Sequence, residues 1–457
     1  MLKINRLDHK IWGIAWPAIL SNISVPLLGL VDAAILGHLG TTHYLGAVAL
    51  GSALLSFLYW GFGFLRMGTT GLVAKASGAG EDERALLVLA RSAVLAIGLA
   101  ALVILLHPLW LQAGFALMAP REELLPLANS YASIRIASAP AVLLTYTVVG
   151  WFIGRQNTRW PMLIMVSTNV LNIVLDVLFI IGLGLNSDGA AMATVVAEYL
   201  GCALALWAVW RTLPRRPGRD LLRQLLFPGP YGVLLRGNRD LFLRTVTLLL
   251  CFAFFTAMGD KLGSDTLAAN SIMLQLLLLA AFALDGFAFA AEGLAGNSLG
   301  ARDLQGFYAA TRRCAMWCAF SAALIALFFT LMHVPLFALM TNIPEVRTVM
   351  LQHRGWLLVL PLVAAPSYLL DGVFIGSAET RYMMITMLFS ALGVYLPLWF
   401  FTRDWGNHGL WLAFTAFNAA RGATLYYYYR RLSNKNGWLG EEGAQKSAGK
   451  GLETGTS

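Results

Sequence analysis

The stretch STNVLNIVLDVLF, Ser167 to Phe179, lies in a segment apolar enough to cross a bilayer, from about Trp160 to Gly184, yet it carries Asn169, Asn172 and Asp176. Asn172 and Asp176 are four residues apart and Asn169 is seven before Asp176, a spacing that lines all three along one face of a helix. A carboxylate at bilayer depth costs about 2.5–3.5 kcal/mol on insertion scales, so this face belongs to a bundle interior or a wet cavity and not to lipid. A second acid, Asp32, lies in another long apolar segment, GLVDAAILGHLG from Gly29. The two acids read as one cation site.

The rest of the chain supports a membrane reading. Of its 457 residues 58% are hydrophobic and 12% charged, and the mean hydropathy is +0.67, far beyond what a soluble core needs. A spanning helix takes about 20 apolar residues. About twelve such segments lie near 13–36, 45–74, 86–106, 124–152, 160–184, 188–210, 240–260, 266–296, 307–330, 348–375, 382–402 and 407–428. The apolar runs are continuous, which excludes an alternating β-barrel. The start, MLKINRLDHKIWGIAWPAIL, is basic, but the apolar stretch after it is too long and Pro-broken for a cleaved signal, so it reads as the first helix. The four cysteines, Cys202, Cys251, Cys314 and Cys318, all fall inside apolar spans and read as packed thiols.

The net charge of +9 is distributed by side of the membrane. Lys3, Arg6 and Lys10 flank the same face as Arg155 and Arg159, Arg312 and Arg313, and Arg430 and Arg431; the opposite loops are sparse in base. Both termini are therefore expected in the cytoplasm. Bases that track topology do not form a nucleic-acid patch, so no nucleic acid is expected as a partner.

Between the sixth and seventh spans, the Pro-rich, basic run from Arg211 to Asp240 reads as a linker between two halves. The halves resemble each other. FIGRQNTRW from Phe152 aligns with FIGSAETRY from Phe374, and at the same offset of 222 residues GLVAKASGAG from Gly71 aligns with GLAGNSLGAR from Gly293. Each half holds six spans, an even number, so the halves enter the membrane in one orientation and are related by an axis along the membrane normal. The expected fold is an all-α polytopic membrane protein of about twelve transmembrane helices in two six-helix lobes related by that pseudo-two-fold. The expected divisions are an N-lobe over 1–210, a cytoplasmic linker over 211–239, a C-lobe over 240–430 and a disordered cytoplasmic tail over 431–457. Lobes of this kind rock against each other around a substrate site, the architecture of a secondary transporter.

The acids do not obey the repeat: at the same offset Asp32 falls on Phe254, Asn172 on Val394 and Asp176 on Leu398. Two carboxylates in low dielectric cannot both stay ionised without a counter-cation, and a shared proton or a bound Na⁺ resolves the conflict. Asn172 and the hydroxyl of Thr194 would add oxygen ligands that suit a hard cation. The competing reading is a permanently protonated acid that bonds a neighbouring helix. Pro26, six residues before Asp32, removes a backbone bond and places either a hinge or a static kink beside it. Asn22, Asp285, Glu292 and Asp371 are candidates for a substrate cavity, with ion pairing as the alternative for the acids, since Arg66, Arg135, Glu198 and Arg421 also lie in or near spans. An enzyme of the membrane would need catalytic acids or histidines gathered at one loop face. The seven histidines are scattered, so no enzyme and no cofactor are expected.

The first span with Pro26 and GLVD, the loop FIGRQNTRW, the face STNVLNIVLD and the segment ALDGFAFAAEGLAG together resemble the multidrug and toxic compound extrusion (MATE) transporters, in particular their DinF branch, from about Asp8 to Arg430. By that resemblance Asp32, Asn172, Asp176 and Thr194 correspond to a first-lobe cation site and Pro26 to the bending proline of the first span. The glutamate that other branches carry in the seventh span is missing from CFAFFTAMGDK. The resemblance implies a monomeric antiporter of a bacterial inner membrane, in which H⁺ or Na⁺ enters and an amphipathic, cationic or aromatic compound leaves. A fold relative, a flippase for a lipid-linked saccharide, is the alternative.

Overall fold

A segment in hydrocarbon must satisfy its own backbone polar groups, and the continuous apolar runs do so as helices. The computed structural model describes residues 6–37, 42–118, 122–213, 224–225, 231–435 and 437–439. Among these residues every regular element is helical. In chain order the helices are α1 (Arg6–Gly37), α2 (Thr42–Gly61), α3 (Phe64–Gly78), α4 (Asp82–Leu105), α5 (His107–Met118), α6 (Leu125–Arg135), α7 (Ala139–Gly154), α8 (Arg159–Asp176), α9 (Asn186–Thr212), α10 (Tyr231–Asp260), α11 (Ser264–Gly300), α12 (Leu304–Met340), α13 (Pro344–Gly376), α14 (Thr380–Leu388), α15 (Leu396–Thr402) and α16 (Asn407–Asn434). A 3₁₀ turn at Ile136–Ser138 joins α6 to α7, and π-helical turns at Val177–Gly182 and Phe389–Tyr395 extend α8 and α14.

Among the described residues ten helical stretches are long and apolar enough to cross a membrane. With α1, of 32 residues, and α16, of 28, they make up the twelve expected spans. α16 is the least apolar because it carries Asn418, Arg421 and the run Tyr426 to Tyr429, and it tolerates the first two by turning them inward, to 4% and 3% exposure.

The chain folds as two compact units, one of Met1–Ala15, Ala74–Glu81 and Val246–Ser457, the other of Trp16–Val73 and Asp82–Thr245. Their limits differ from the expected division at the linker in three places, one of them the end of α3, where Ala74–Glu81 groups with the second-half helices. The start of α1 belongs with the second-half helices because Asp8, 1% exposed, accepts from Trp317 Nε1 at 3.0 Å and lies 3.6 Å from the Arg313 guanidinium. Trp12 reinforces this, edge-on to Phe287 and Trp317 at 5.2 and 5.3 Å. Conversely, α10 begins at Tyr231 and not near 240, and its first half packs with the first-half helices, with Phe242 edge-on to Phe64 at 5.7 Å and Asn238 against Gly68. Most of the expected linker, 214–223 and 226–230, lies outside the described residues, as does the tail from 440. The first residues expected in the tail, 431–434, are instead helical. α16 runs on to Asn434, and Trp438, 3% exposed, tucks among Phe307, Phe374 and Tyr429 with its indole N–H on the Ser433 hydroxyl at 3.0 Å.

The 222-residue repeat is written into the backbone. Residues with left-handed φ recur in register: Gly80 (φ 75) with Arg302 (58), Gln156 (61) with Ala378 (55), and Gly184 (68) with Gly406 (59). Gln156 and Ala378 close the same helix C-terminal motif, in which Asn157 N–H returns to Phe152 O and Glu379 N–H to Phe374 O, at 2.9 and 3.0 Å. Burial there pushes the Glu379 carboxyl up, against the pull of Lys75. Helix crossings repeat as well. A Cβ at Gly150 or Gly154 would strike the carbonyls of Arg66 or Thr70, and one at Gly372 or Gly376 those of Ala288 or Glu292, the same contacts one repeat later. Gly78 faces Asn297 O while Gly300 faces Lys75 O, so each glycine meets the repeat-mate of the other's partner.

Larger side chains at these crossings must push backbones apart, at about 1–3 kcal/mol. Gly150→Leu and Gly372→Leu should each lower the unfolding midpoint of the detergent-purified protein, by about 1–3 °C. Gly98→Ala, where a Cβ would meet open space inside α4, should not lower it.

Candidate functional site

The face read from the opening stretch forms. Along α8 and the π turn after it, Asn172 and Asp176 are each 1% exposed and Ile180 is equally buried, whereas Val170, Val174, Val177 and Leu178 are exposed. Asp176 is the last residue before the helix widens at Val177–Gly182, where Leu183 N–H reaches back five residues to Leu178 O at 2.9 Å. Such π turns concentrate at functional sites because they re-aim the flanking side chains.

Opposite this face stands Thr194 of α9, 8% exposed. Its hydroxyl donates its single proton to Ala190 O at 2.9 Å, so its partner across the helix gap has to be a donor, the Asn172 Nδ2 at 3.2 Å. That assignment turns the Asn172 carbonyl oxygen the other way, where it is buried without a hydrogen-bond partner. An orphan carbonyl oxygen in low dielectric is costly, and a hard cation is a natural partner for it. Asn169, half-buried, donates to the Ser24 hydroxyl at 2.9 Å, and Ser24 in turn donates to Ser21 O at 2.7 Å, which ties α8 to α1 near Pro26. Sequence reasoning did not anticipate this tie; its signal was a serine two residues before a mid-span proline. Pro26 sits inside the continuous helix α1 and cannot donate to the carbonyl of Asn22 four residues earlier. Asp32 also lies on α1, but its side chain falls outside the described residues.

The second-half acids are arranged differently. Asp371 of α13 takes the Arg421 guanidinium of α16 at 2.7 Å, with Asn418 Oδ1 accepting from the same guanidinium at 3.2 Å and the Phe417 ring 5.5 Å away. Both charges are nearly sealed, at 10% and 3% side-chain exposure. Asp285 is half-buried on α11, and Glu292, seven residues on, is 1% exposed. Two of the histidines that looked scattered do meet, His353 and His408 stacking at 4.2 Å with Trp356 Nε1 donating to His408 at 3.2 Å. The four cysteines are buried and unbridged.

Removing one member of a sealed ion pair strands the other charge, at about 3–5 kcal/mol, whereas removing both does not. Arg421→Ala should therefore destabilise the protein more than the double variant Asp371→Ala/Arg421→Ala, as read from thermal unfolding in a double-mutant cycle.

Comparison with known proteins agrees with this architecture. The MatE family model matches residues 17–178 and 241–401, once in each half. DNA damage-inducible protein F of Escherichia coli K12 is 39% identical over 433 residues, 94% of each chain. Multidrug and toxin extrusion protein 1 of Danio rerio is 26% identical over 305 residues, 63% of this chain and 48% of that one. Among solved structures, the Vibrio cholerae MATE transporter VcmN, in a mutant form, superposes with a TM-score of 0.83 at 23% identity over 95% of this chain and 99% of that one. A MATE transporter crystallised with MaD5 superposes at 0.81 and 20% identity, over 94% and 97%. At such identities the structural likeness is one of fold. The family model and the Escherichia coli relative go further: the chain belongs to the MatE family and is a multidrug and toxin extrusion transporter of that family.

Proposed function

We propose that this transporter is a cation-coupled antiporter, driven by H⁺ or Na⁺, that exports amphipathic cationic or aromatic compounds by alternating access. The observation that carries the reading is the buried oxygen set of Asn172, Asp176 and Thr194, with the Asn172 carbonyl left without a donor. A proton or Na⁺ at this set satisfies that oxygen and neutralises carboxylate charge, with Asp32 of α1 as the second acid of the site. By contrast Asp371 already holds a resident cation in Arg421. Coupling then follows from differential affinity: cation and substrate favour different states of the protein, so that loading one promotes release of the other. Pro26, beside the Asn169–Ser24 tie, is the hinge through which α1 responds. The protein acts as a monomer in a bacterial inner membrane, and the one-sided basic loops support placing both termini in the cytoplasm.

In proteoliposomes at matched protein levels, Asp32→Asn and Asp176→Asn should unfold at the wild-type temperature yet lose at least about ten-fold of the flux response to imposed pH or Na⁺ jumps, applied separately. Asn172→Ala should weaken apparent cation affinity by roughly ten-fold. Retention of full coupling by both acid variants would make these acids structural. For orientation, a reporter fused after Gly437 should be active only in its cytoplasmic form; activity only outside the cytoplasm reverses the topology.

A further inference from the structure

The span Leu125–Gly154 is interrupted midway. Pro140 has no N–H to return to Ile136 O, and the backbone tightens into the 3₁₀ turn Ile136–Ser138. Ser138 then donates to the carbonyl of Arg135 at 2.8 Å, and Tyr59 of α2 reaches the same carbonyl at 3.5 Å. Here, inside the membrane, the Arg135 guanidinium meets Glu198 Oε1 of α9 at 3.3 Å, with the two side chains 15% and 19% exposed. At 3.3 Å this contact is longer than the about 2.7–2.9 Å of a close charge-assisted hydrogen bond. The other carboxylate oxygen, Glu198 Oε2, is buried and has no hydrogen-bond partner, because the Ser138 hydroxyl beside Glu198 gives its one proton to Arg135 O. Glu198 is thus unlike Asp371, whose guanidinium sits at 2.7 Å.

The groups that face Glu198 are few and identifiable. Arg135 and Ser138 come from the interrupted span, Tyr59 from α2 and Tyr146 from α7; Arg66 of α3 acts on Tyr146, and Tyr199 is its neighbour on α9. Tyr199 donates outward to Ala137 O at 2.9 Å, so it braces the turn and does not turn inward to cap Glu198. Arg135 supplies the pair's positive charge. Thr194, the partner of Asn172, lies one helical turn before Glu198 on the same face of α9.

We propose that Glu198 is a second proton-binding site of this transporter, distinct from the Asn172–Asp176–Thr194 set, which takes a proton on its buried Oε2 as the Arg135 contact loosens. The proposal rests on the reading of the chain as a cation-coupled exporter. It adds a titrating group whose charge is felt at Thr194 through one turn of α9, so that proton binding at Glu198 and cation binding at Asn172 bias each other.

Infrared difference spectra of the full-length protein in liposomes, recorded between about pH 5 and about pH 9, test this directly. The wild type should gain a protonated-carboxyl C=O band at low pH, and Glu198→Gln, if its thermal unfolding matches the wild type, should lose at least half of that band. Asp176→Asn should keep the Glu198 share, so the result stands or falls independently of the coupling experiments. Should Glu198→Gln fail to fold, dicyclohexylcarbodiimide, which adds across the O–H of a protonated carboxylic acid, decides the matter on the wild type by peptide mass spectrometry. Labelling at residue 198 should fall at least ten-fold as pH rises across that range, and in Arg135→Lys it should persist to higher pH. Identical infrared spectra for wild type and a folded Glu198→Gln, or labelling at residue 198 that is absent or independent of pH, overturns the proposal.

Discussion

In hydrocarbon no water is available to complete an unmatched polar group, so each one has to be answered from within the protein. That constraint explains most of what is seen here. It makes every regular element among the described residues a helix, it seals Arg421 against Asp371, and it makes an unanswered oxygen informative. The two most informative atoms are the carbonyl oxygen of Asn172 and the Oε2 of Glu198, both buried and both without a hydrogen-bond partner.

The two halves share a backbone but not a chemistry. Left-handed turns and glycine crossings recur at a constant offset of 222 residues, because close backbone approach depends on the absence of side chains and survives divergence of everything around it. Side chains carry no such constraint. The sixth span of the first half contributes an acid, Glu198, to its ion pair, whereas the sixth span of the second contributes a base, Arg421. The second-half pair is close and sealed, at 2.7 Å, and the first-half pair is longer, at 3.3 Å, with one carboxylate oxygen left open.

α1 belongs to both compact units, its start held by Asp8 and Trp12 among second-half helices and its remainder grouped with the first half from Trp16 on. Pro17 and Pro26 lie within the part after this junction. A helix anchored at its start and weakened by two prolines beyond can bend without dissolving the anchor.

What the amino-acid order determined alone was the membrane class, the repeat and the polar face of α8, since hydropathy, constant offsets and helical spacing are all local or periodic properties. The burial of Asn172 and Asp176 on one side and the exposure of Val170, Val174 and Val177 on the other follow that spacing directly. Pairing was decided only by the tertiary structure. Arg421 had several acids to choose from, and Asp371 lies 50 residues away on another helix; Arg135 and Glu198 are 63 residues apart. Nothing periodic links such positions, because the contact depends on which helices neighbour each other and on how each is rotated. The same holds for the start of α1, whose partner Trp317 is 309 residues distant from Asp8. Local pattern specifies which face of a helix is polar; the packing of helices specifies what that face meets.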